Sequence, residues 1–382
     1  MKKGLLLPVS LLALSVSTAV NADVRINGFA NFTAGYTTED TGLYGYEDKV
    51  DFSNGSLFAI QISGSVNENV TATAQLLARG NEDYNAEFEW AYLTYAIDDS
   101  SSISGGRLRL PLFRYSSSLD VGYSYHWITA PRSVYSVPFN NYNGLRYDLN
   151  GYKGDLEYNV SLFGGEYSNE VSGGDLEADK VFGITTEFTY NSFKARFVAG
   201  RGSNTLSIDA VDGTLAQLSP IAPELADDLA MIDDSGLFLG AGFEFDNFDW
   251  FVSAEYTSVE TKDSFSPKDI AWYVTAGKRI GSWTPHITYE ARDGDHDFKF
   301  LDQVAAFPEQ FQPALLQATA GLQSFFMEDF SMLTVGLRYD WSTNIAIKGE
   351  VSRYDNKRDD NPADINPAED TTLLNVSVNY VF

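Results

Sequence analysis

The sequence predicts an all-β fold, a 16-stranded antiparallel transmembrane β-barrel with long loops on one rim and short turns on the other. Three observations carry that expectation. Polar and apolar residues alternate with period two in segment after segment. The connections between those segments alternate short and long. No run beyond residue 22 approaches the ~20 consecutive apolar residues that a membrane helix needs. A chain that crosses lipid without such helices must close its sheet, because hydrocarbon offers no partner to an unpaired backbone group.

The alternation is plain in residues 156–163, where Leu156, Tyr158, Val160 and Leu162 interleave with Glu157, Asn159 and Ser161. Successive strand side chains point to opposite faces, so one face is apolar and the other polar. Residues 193–197 place Lys194 and Arg196 between Phe193, Ala195 and Phe197, and residues 283–291 put Thr284, His286, Thr288 and Glu290 on one face. In a barrel the apolar face meets lipid and the polar face lines the lumen.

Segments of this kind lie at 25–37, 56–66, 70–79, 87–97, 102–110, 144–152, 156–164 and 181–190. The second half adds 193–201, 236–245, 248–260, 270–280, 283–292, 330–340, 345–354 and 372–382. Tight turns are expected at 67–69, 153–155, 191–192, 246–247, 281–282 and 342–344, and long polar links at 38–55, 202–235, 293–329 and 355–371. A soluble sandwich has no reason to alternate in this way. Within the long links, Pro223-Glu224 opens a helix signal over 225–232, and Pro313 precedes an Ala-rich apolar run at 314–322.

Residues 1–22 read as a secretory signal peptide: Lys2 and Lys3, an apolar stretch from Leu5 to Val16, then Val20-Asn21-Ala22 as a small-x-small cleavage site. The expected domain is therefore 23–382. The chain has no cysteine, so an exported fold must hold by ladder hydrogen bonds and burial. With 26 basic against 53 acidic residues, net −27, nucleic-acid binding through a basic surface is excluded. The 22 Tyr, 26 Phe and 6 Trp suit rings seated at two membrane interfaces. Acids crowd the first and last long links (Glu39, Asp40, Glu47, Asp48, Asp51; Asp355, Asp359, Asp360, Asp364, Glu369, Asp370), but no segment matches a calcium loop, and no metal or cofactor is assigned.

The start of the mature chain, Ile26-Asn27-Gly28-Phe29-Ala30-Asn31-Phe32, and its end, Leu373-Leu374-Asn375-Val376-Ser377-Val378-Asn379-Tyr380-Val381-Phe382, resemble the first and closing strands of the general porins of Gram-negative bacteria. The terminal Phe resembles the signal read by the barrel-assembly machinery. The acidic Pro-Glu-Phe-Gly-Gly stretch of many enterobacterial porins is absent, so the resemblance is to the broad family, marine gammaproteobacterial members included. It implies an outer-membrane diffusion channel for small polar solutes and ions. It also implies a homotrimer latched near 80–86, set among outer-membrane lipid and lipopolysaccharide, and a third long loop folded inward.

That loop is 111–143. It carries Arg114, Arg132 and His126 with Asp120 as its only acid, and eight aromatic rings from Phe113 to Tyr142. Arg107 and Arg109, two apart, are expected on the polar face of the preceding strand, with Arg146 and Asp148 on that of the next. The candidate constriction is thus Arg107, Arg109, Arg114, Asp120, Arg132, Arg146 and Asp148. Two readings stand: arginines opposite the loop set a transverse field that selects ions by sign, or they pair with Glu87, Glu89 and Asp148 and brace the wall. The first predicts neutral to mildly anion-selective behaviour at high salt. The three histidines, His126, His286 and His296, show no spacing that suggests catalysis. The competing function is a substrate-specific channel, for sugars for example, with an aromatic-lined loop.

Overall fold

A computed structural model describes residues 24–171, 173–294, 298–325, 327–357 and 369–382. The expected signal peptide, His296 and most of the last long link lie outside them. Among the described residues sixteen strands form one closed antiparallel barrel. They are β1 (Val24–Thr37), β2 (Leu57–Ser65), β3 (Val70–Arg79), β4 (Ala86–Ala96), β5 (Ser101–Arg109), β6 (Asn141–Lys153), β7 (Leu156–Val171) and β8 (Gly174–Tyr190). They continue with β9 (Phe193–Ile208), β10 (Asp234–Asp246), β11 (Trp250–Thr261), β12 (Asp269–Lys278), β13 (Trp283–Gly294), β14 (Phe330–Ser342), β15 (Ile345–Asn356) and β16 (Thr371–Val381).

Each strand pairs with its neighbours in sequence, and β1 closes the sheet against β16 from Phe29↔Val381 to Thr37↔Leu373. Closure extends to the last residue: Gly28 and Phe382 exchange two backbone hydrogen bonds of 2.9 Å. The Phe382 ring lies over Gly28, where a Cβ would sit 2.2 Å from it, so only glycine admits the terminal ring. Full closure removes the sheet edges that an open sheet would expose.

The period-two pattern sorts the two faces. In β13, Thr284, His286, Thr288 and Glu290 are buried inside while Trp283, Ile287 and Tyr289 are exposed outside. An aromatic girdle follows the short-turn rim: Tyr152, Tyr190, Phe248, Trp250, Trp283, Trp341 and Phe382 are all exposed.

Strands β7, β8 and β9 each run seven residues beyond their expected ends, so the expected link at 165–180 is instead a hairpin of β7 and β8 paired as far as Val171↔Gly174. The alternation persists there, but its sense inverts. Tyr167, Leu176, Ala178, Val181 and Ile208 are buried on the inner face, whereas Glu166, Ser168, Glu170, Glu177 and Ser207 are exposed on the outer. The outer face of this extension meets water rather than lipid, so apolar side chains turn inward.

The long link after β9 forms α1 (Asp209–Leu218) and α2 (Pro223–Leu229), and that after β13 contains α3 (Leu301–Ala305) and α4 (Gln312–Phe325). Leu218, Leu225, Leu229, Leu315 and Leu322 from these helices share one apolar cluster, which forms a roof on the long-loop rim. The orientation is checked by cysteine labelling, since the chain has no cysteine of its own. Asp48→Cys should react with an impermeant maleimide on intact cells and Glu68→Cys should not; the reverse pattern overturns it.

Candidate functional site

Residues 110–140 leave β5, cross the lumen and return to β6, which starts at Asn141, three residues earlier than expected. The segment is folded on itself. Trp127, only 1% exposed, meets Tyr115 and Tyr273 edge-on at 5.6 and 5.5 Å, and Phe113 packs on Tyr135 at 5.0 Å. Apolar rings in this number can fill a barrel interior because they bury large area at small entropic cost.

The inner wall supplies acceptors for the segment's donors. Trp127 Nε1 donates to Thr288 Oγ1 (2.8 Å), the amide of Ile128 to Glu350 (2.8 Å), and the amide of Ser133 to Glu290 (2.7 Å). The amide of Arg114 and the Tyr135 hydroxyl both donate to Glu255. Lys348, 2% exposed, donates to the carbonyls of Gly122 and Trp127 with its ammonium 4.9 Å from the Tyr125 ring. On β14, Arg338 Nη1 donates to the carbonyls of Tyr123 and Tyr125 at 2.7 Å each. A loop without regular structure must find partners for its buried backbone, and here charged wall side chains provide them.

Near β3–β5, two arginines and two acids form one knot. Arg109 (7% exposed) pairs with Glu89 through Nη1 and with Asp120 through Nη2 (3.2 Å), and its Nε donates to the Ser116 carbonyl (2.9 Å). Arg79 reaches Glu89 at 2.7 Å, Glu87 at 2.9 Å and Asp120 at 3.3 Å. The Asn141 amide completes the shell of Glu89 at 2.9 Å. A bulge in the β3–β4 register between Gln75 and Leu76 falls beside Glu89, which is 1% exposed. A bulge re-aims a side chain in this way.

The seven expected constriction residues therefore do not gather into one ring. Arg109 and Asp120 join the knot. Arg114 pairs with Glu244 and donates to Ser253 Oγ (2.9 Å) across the lumen. Arg146 and Asp148 pair at 2.8 Å. Arg132 lies 4.2 Å over the Tyr44 ring. Arg107 stands apart: its Nε is buried without a hydrogen-bond partner among the described residues, and its neighbours across the ladder are Ala91 and Asn143. The expected excess of arginine over acid at this level is cancelled by Glu89, Glu244 and Glu255. Of these, Glu89 entered the sequence reading as a bracing partner and the other two did not. The signal for Glu255 was the alternation of β11, where Ser253 and Glu255 are buried between Val252, Ala254 and Tyr256, and that for Glu244 was its place between Phe243 and Phe245 in β10.

His126 and His286 do meet, with rings 4.7 Å apart. His126 shares a hydrogen bond of 3.0 Å with Thr275 Oγ1. Burial, with the His286 ring beside it, drives the His126 pKa well below the usual imidazole range, so the ring is neutral at pH 7.

A family model described as Gram-negative porin matches residues 9–360. Among curated proteins no relative matches by sequence. Similar solved structures include the anion-selective porin from Comamonas acidovorans (TM-score 0.59, 11% identity, 94% of this chain and 100% of that one). OmpF of Salmonella typhi in complex with daunomycin is similar at TM-score 0.58 (14% identity, 94% and 97%). The trimer form of OmpT from Vibrio cholerae gives 0.55 (10% identity, 94% and 99%). Identities this low speak for the fold alone.

Proposed function

The chain belongs to the Gram-negative porin family and is an outer-membrane porin, and on that premise we propose that residues 110–140 form its constriction, with the knot of Arg79, Arg109, Glu89 and Asp120 holding the segment to the wall. The observation that carries this reading is the set of charged wall side chains spent on the segment's backbone and side chains, from Asp120 to Ser133. A loop tied at so many points narrows the lumen at a fixed place.

Charge balance then sets selectivity. Each of Arg79, Arg109, Arg114 and Arg146 has a carboxylate within ion-pair distance. The constriction is close to neutral at high salt, a weaker bias than an unpaired arginine row would give. Charges farther away than a Debye length, about 8–10 Å at physiological salt, are largely screened, so the exposed acids of the first and last long links are expected to act mainly when salt is lowered. Reversal potentials across a KCl gradient test this: near-zero selectivity at molar salt, drifting toward cations at millimolar salt, is expected. Strong anion preference throughout would contradict it.

The family supports a homotrimer in the plane of outer-membrane lipid and lipopolysaccharide. The loop at 80–85 fits a latch, with Tyr84 and, at the start of β4, Phe88 both more than half exposed. Native mass in mild detergent should read three chains; a stable single chain would contradict it. We assign the protein no catalytic role, its family and fold being those of a channel.

A further inference from the structure

Above the constriction, on the long-loop side, lies a cavity of about 430 Å³. Its floor is the apolar cluster of the inward segment, with Leu110, Phe139 and Phe238, and its ceiling is the loop cluster, with Ile208 and Met231. The inverted faces of β7–β9 wall it, through Tyr167 and Leu206 among others. A water-filled vestibule would favour polar side chains on these inner positions, as the rest of the wall has. Apolar groups that face a cavity of this size gain nothing from water, which needs two to four polar partners to settle.

Most polar groups on the lining have partners: Arg201 Nε donates to Ser235 Oγ at 3.0 Å, and Asp269 keeps one buried oxygen, Oδ1, without a partner among the described residues. Arg292 Nε donates to Asp269 at 2.7 Å, and its Nη1 pairs with Glu328 at 2.7 Å. The Asn204 amide donates to Thr261 Oγ1 at 3.2 Å, and the Tyr167 hydroxyl lies 3.4 Å from Asn204 Oδ1. The charged lining residues balance, Arg201 and Arg292 against Asp269 and Glu328, so the lining as a whole favours neither an anion nor a cation. Asn204, Thr261 and the Tyr167 hydroxyl together offer one polar spot on an otherwise apolar wall. Concave, apolar sites of about 300–1,000 Å³ with a few convergent polar groups are the usual form of small-molecule sites.

We propose that this cavity binds a neutral, largely apolar small solute carrying one polar group, such as an aromatic alcohol, and holds it before passage through the constriction. This rests on the porin reading and names a solute class that the pore concentrates.

The probe is 2-phenylethanol, with glycerol as the polar control, added on the loop side of a planar bilayer containing the full protein. The expected result is a saturable reduction of single-channel current by 2-phenylethanol and none that saturates by glycerol. The double variant Leu206→Asn, Val259→Asn, both on the cavity wall, should raise the half-blocking concentration about tenfold, each protein being normalised to its own unblocked current. Block that rises linearly with concentration, or the same half-blocking concentration in variant and wild type, overturns the proposal. If that variant does not fold, Met231→Gln, on the loop ceiling, is read in the same way. Folded wild-type protein that carries no ion current would count against the porin reading instead. Equilibrium dialysis of labelled 2-phenylethanol against protein-loaded and empty nanodiscs then decides the cavity: no excess binding overturns it.

Discussion

Arg109→Gln should make the channel cation-preferring and loosen the inward segment at its first anchor. Glu89 is 1% exposed and Arg109 7%, so the substitution leaves a buried carboxylate with Arg79 as its one remaining cation partner. Breaking a buried ion pair by removing one member costs about 3–5 kcal/mol, because the other charge stays desolvated. Arg79 keeps the cost near the lower end. The Ser116 carbonyl and Asp120 lose donors in the same stroke. Urea unfolding of the reconstituted barrel, followed by tryptophan fluorescence, reads the stability. The reversal potential in a KCl gradient reads the charge. Arg107→Gln is the comparison: Arg107 has no ion pair among the described residues, so its loss should leave unfolding nearly unchanged. Equal effects of the two substitutions would show that Arg109 is not the anchor.

Trp127→Ala should cost about as much and act through packing. The indole is 1% exposed and fills the space between Tyr115, Tyr125, His126 and Tyr273. Large-to-small changes at such sites cost about 3–5 kcal/mol, transfer and cavity terms together, and here Thr288 also loses its donor. The barrel ladder is untouched, so the protein should still assemble and resist detergent at room temperature. Its single-channel current should be larger and noisier, because the segment can leave the wall. A variant with wild-type conductance and quiet traces would place the narrowest point elsewhere.

The barrel was largely legible in the sequence because its determinants are local. Alternation within a strand and the length of the next connection can both be read in a window of some twenty residues. All sixteen expected segments correspond to β1–β16, with ends moved by a few residues outside β7–β9. Those three ran long because their inner and outer preferences exchange where the sheet leaves lipid. A reading that equates apolar with outward stops at that point, although Tyr167, Leu176 and Ile208 keep the period. The run at 209–218 gave no helix signal because it lacks an N-cap side chain and contains Gly213.

The site was legible as residue types and illegible as pairings. Arg109, Arg114 and Asp120 could be named from their neighbourhood. Their partners could not, since Tyr135 meets Glu255 across 120 positions, Ser133 meets Glu290 across 157 and Ile128 meets Glu350 across 222. Nothing local in β11, β13 or β15 distinguishes an inward acid that receives a loop amide from one that faces water. Counting arginines in the loop and its flanking strands therefore left out the wall carboxylates that pair with them, Glu89 with Arg109 and Glu244 with Arg114.

If residues 110–140 narrow a water-filled outer-membrane pore, removing most of them must widen it. Single-channel conductance in planar bilayers reads the width, comparing the intact protein with a variant in which residues 116–135 are replaced by a short Gly-Ser linker. Discrete conductance steps are expected from the intact protein and several-fold larger steps from the variant. Steps of the same size from both would contradict the narrowing.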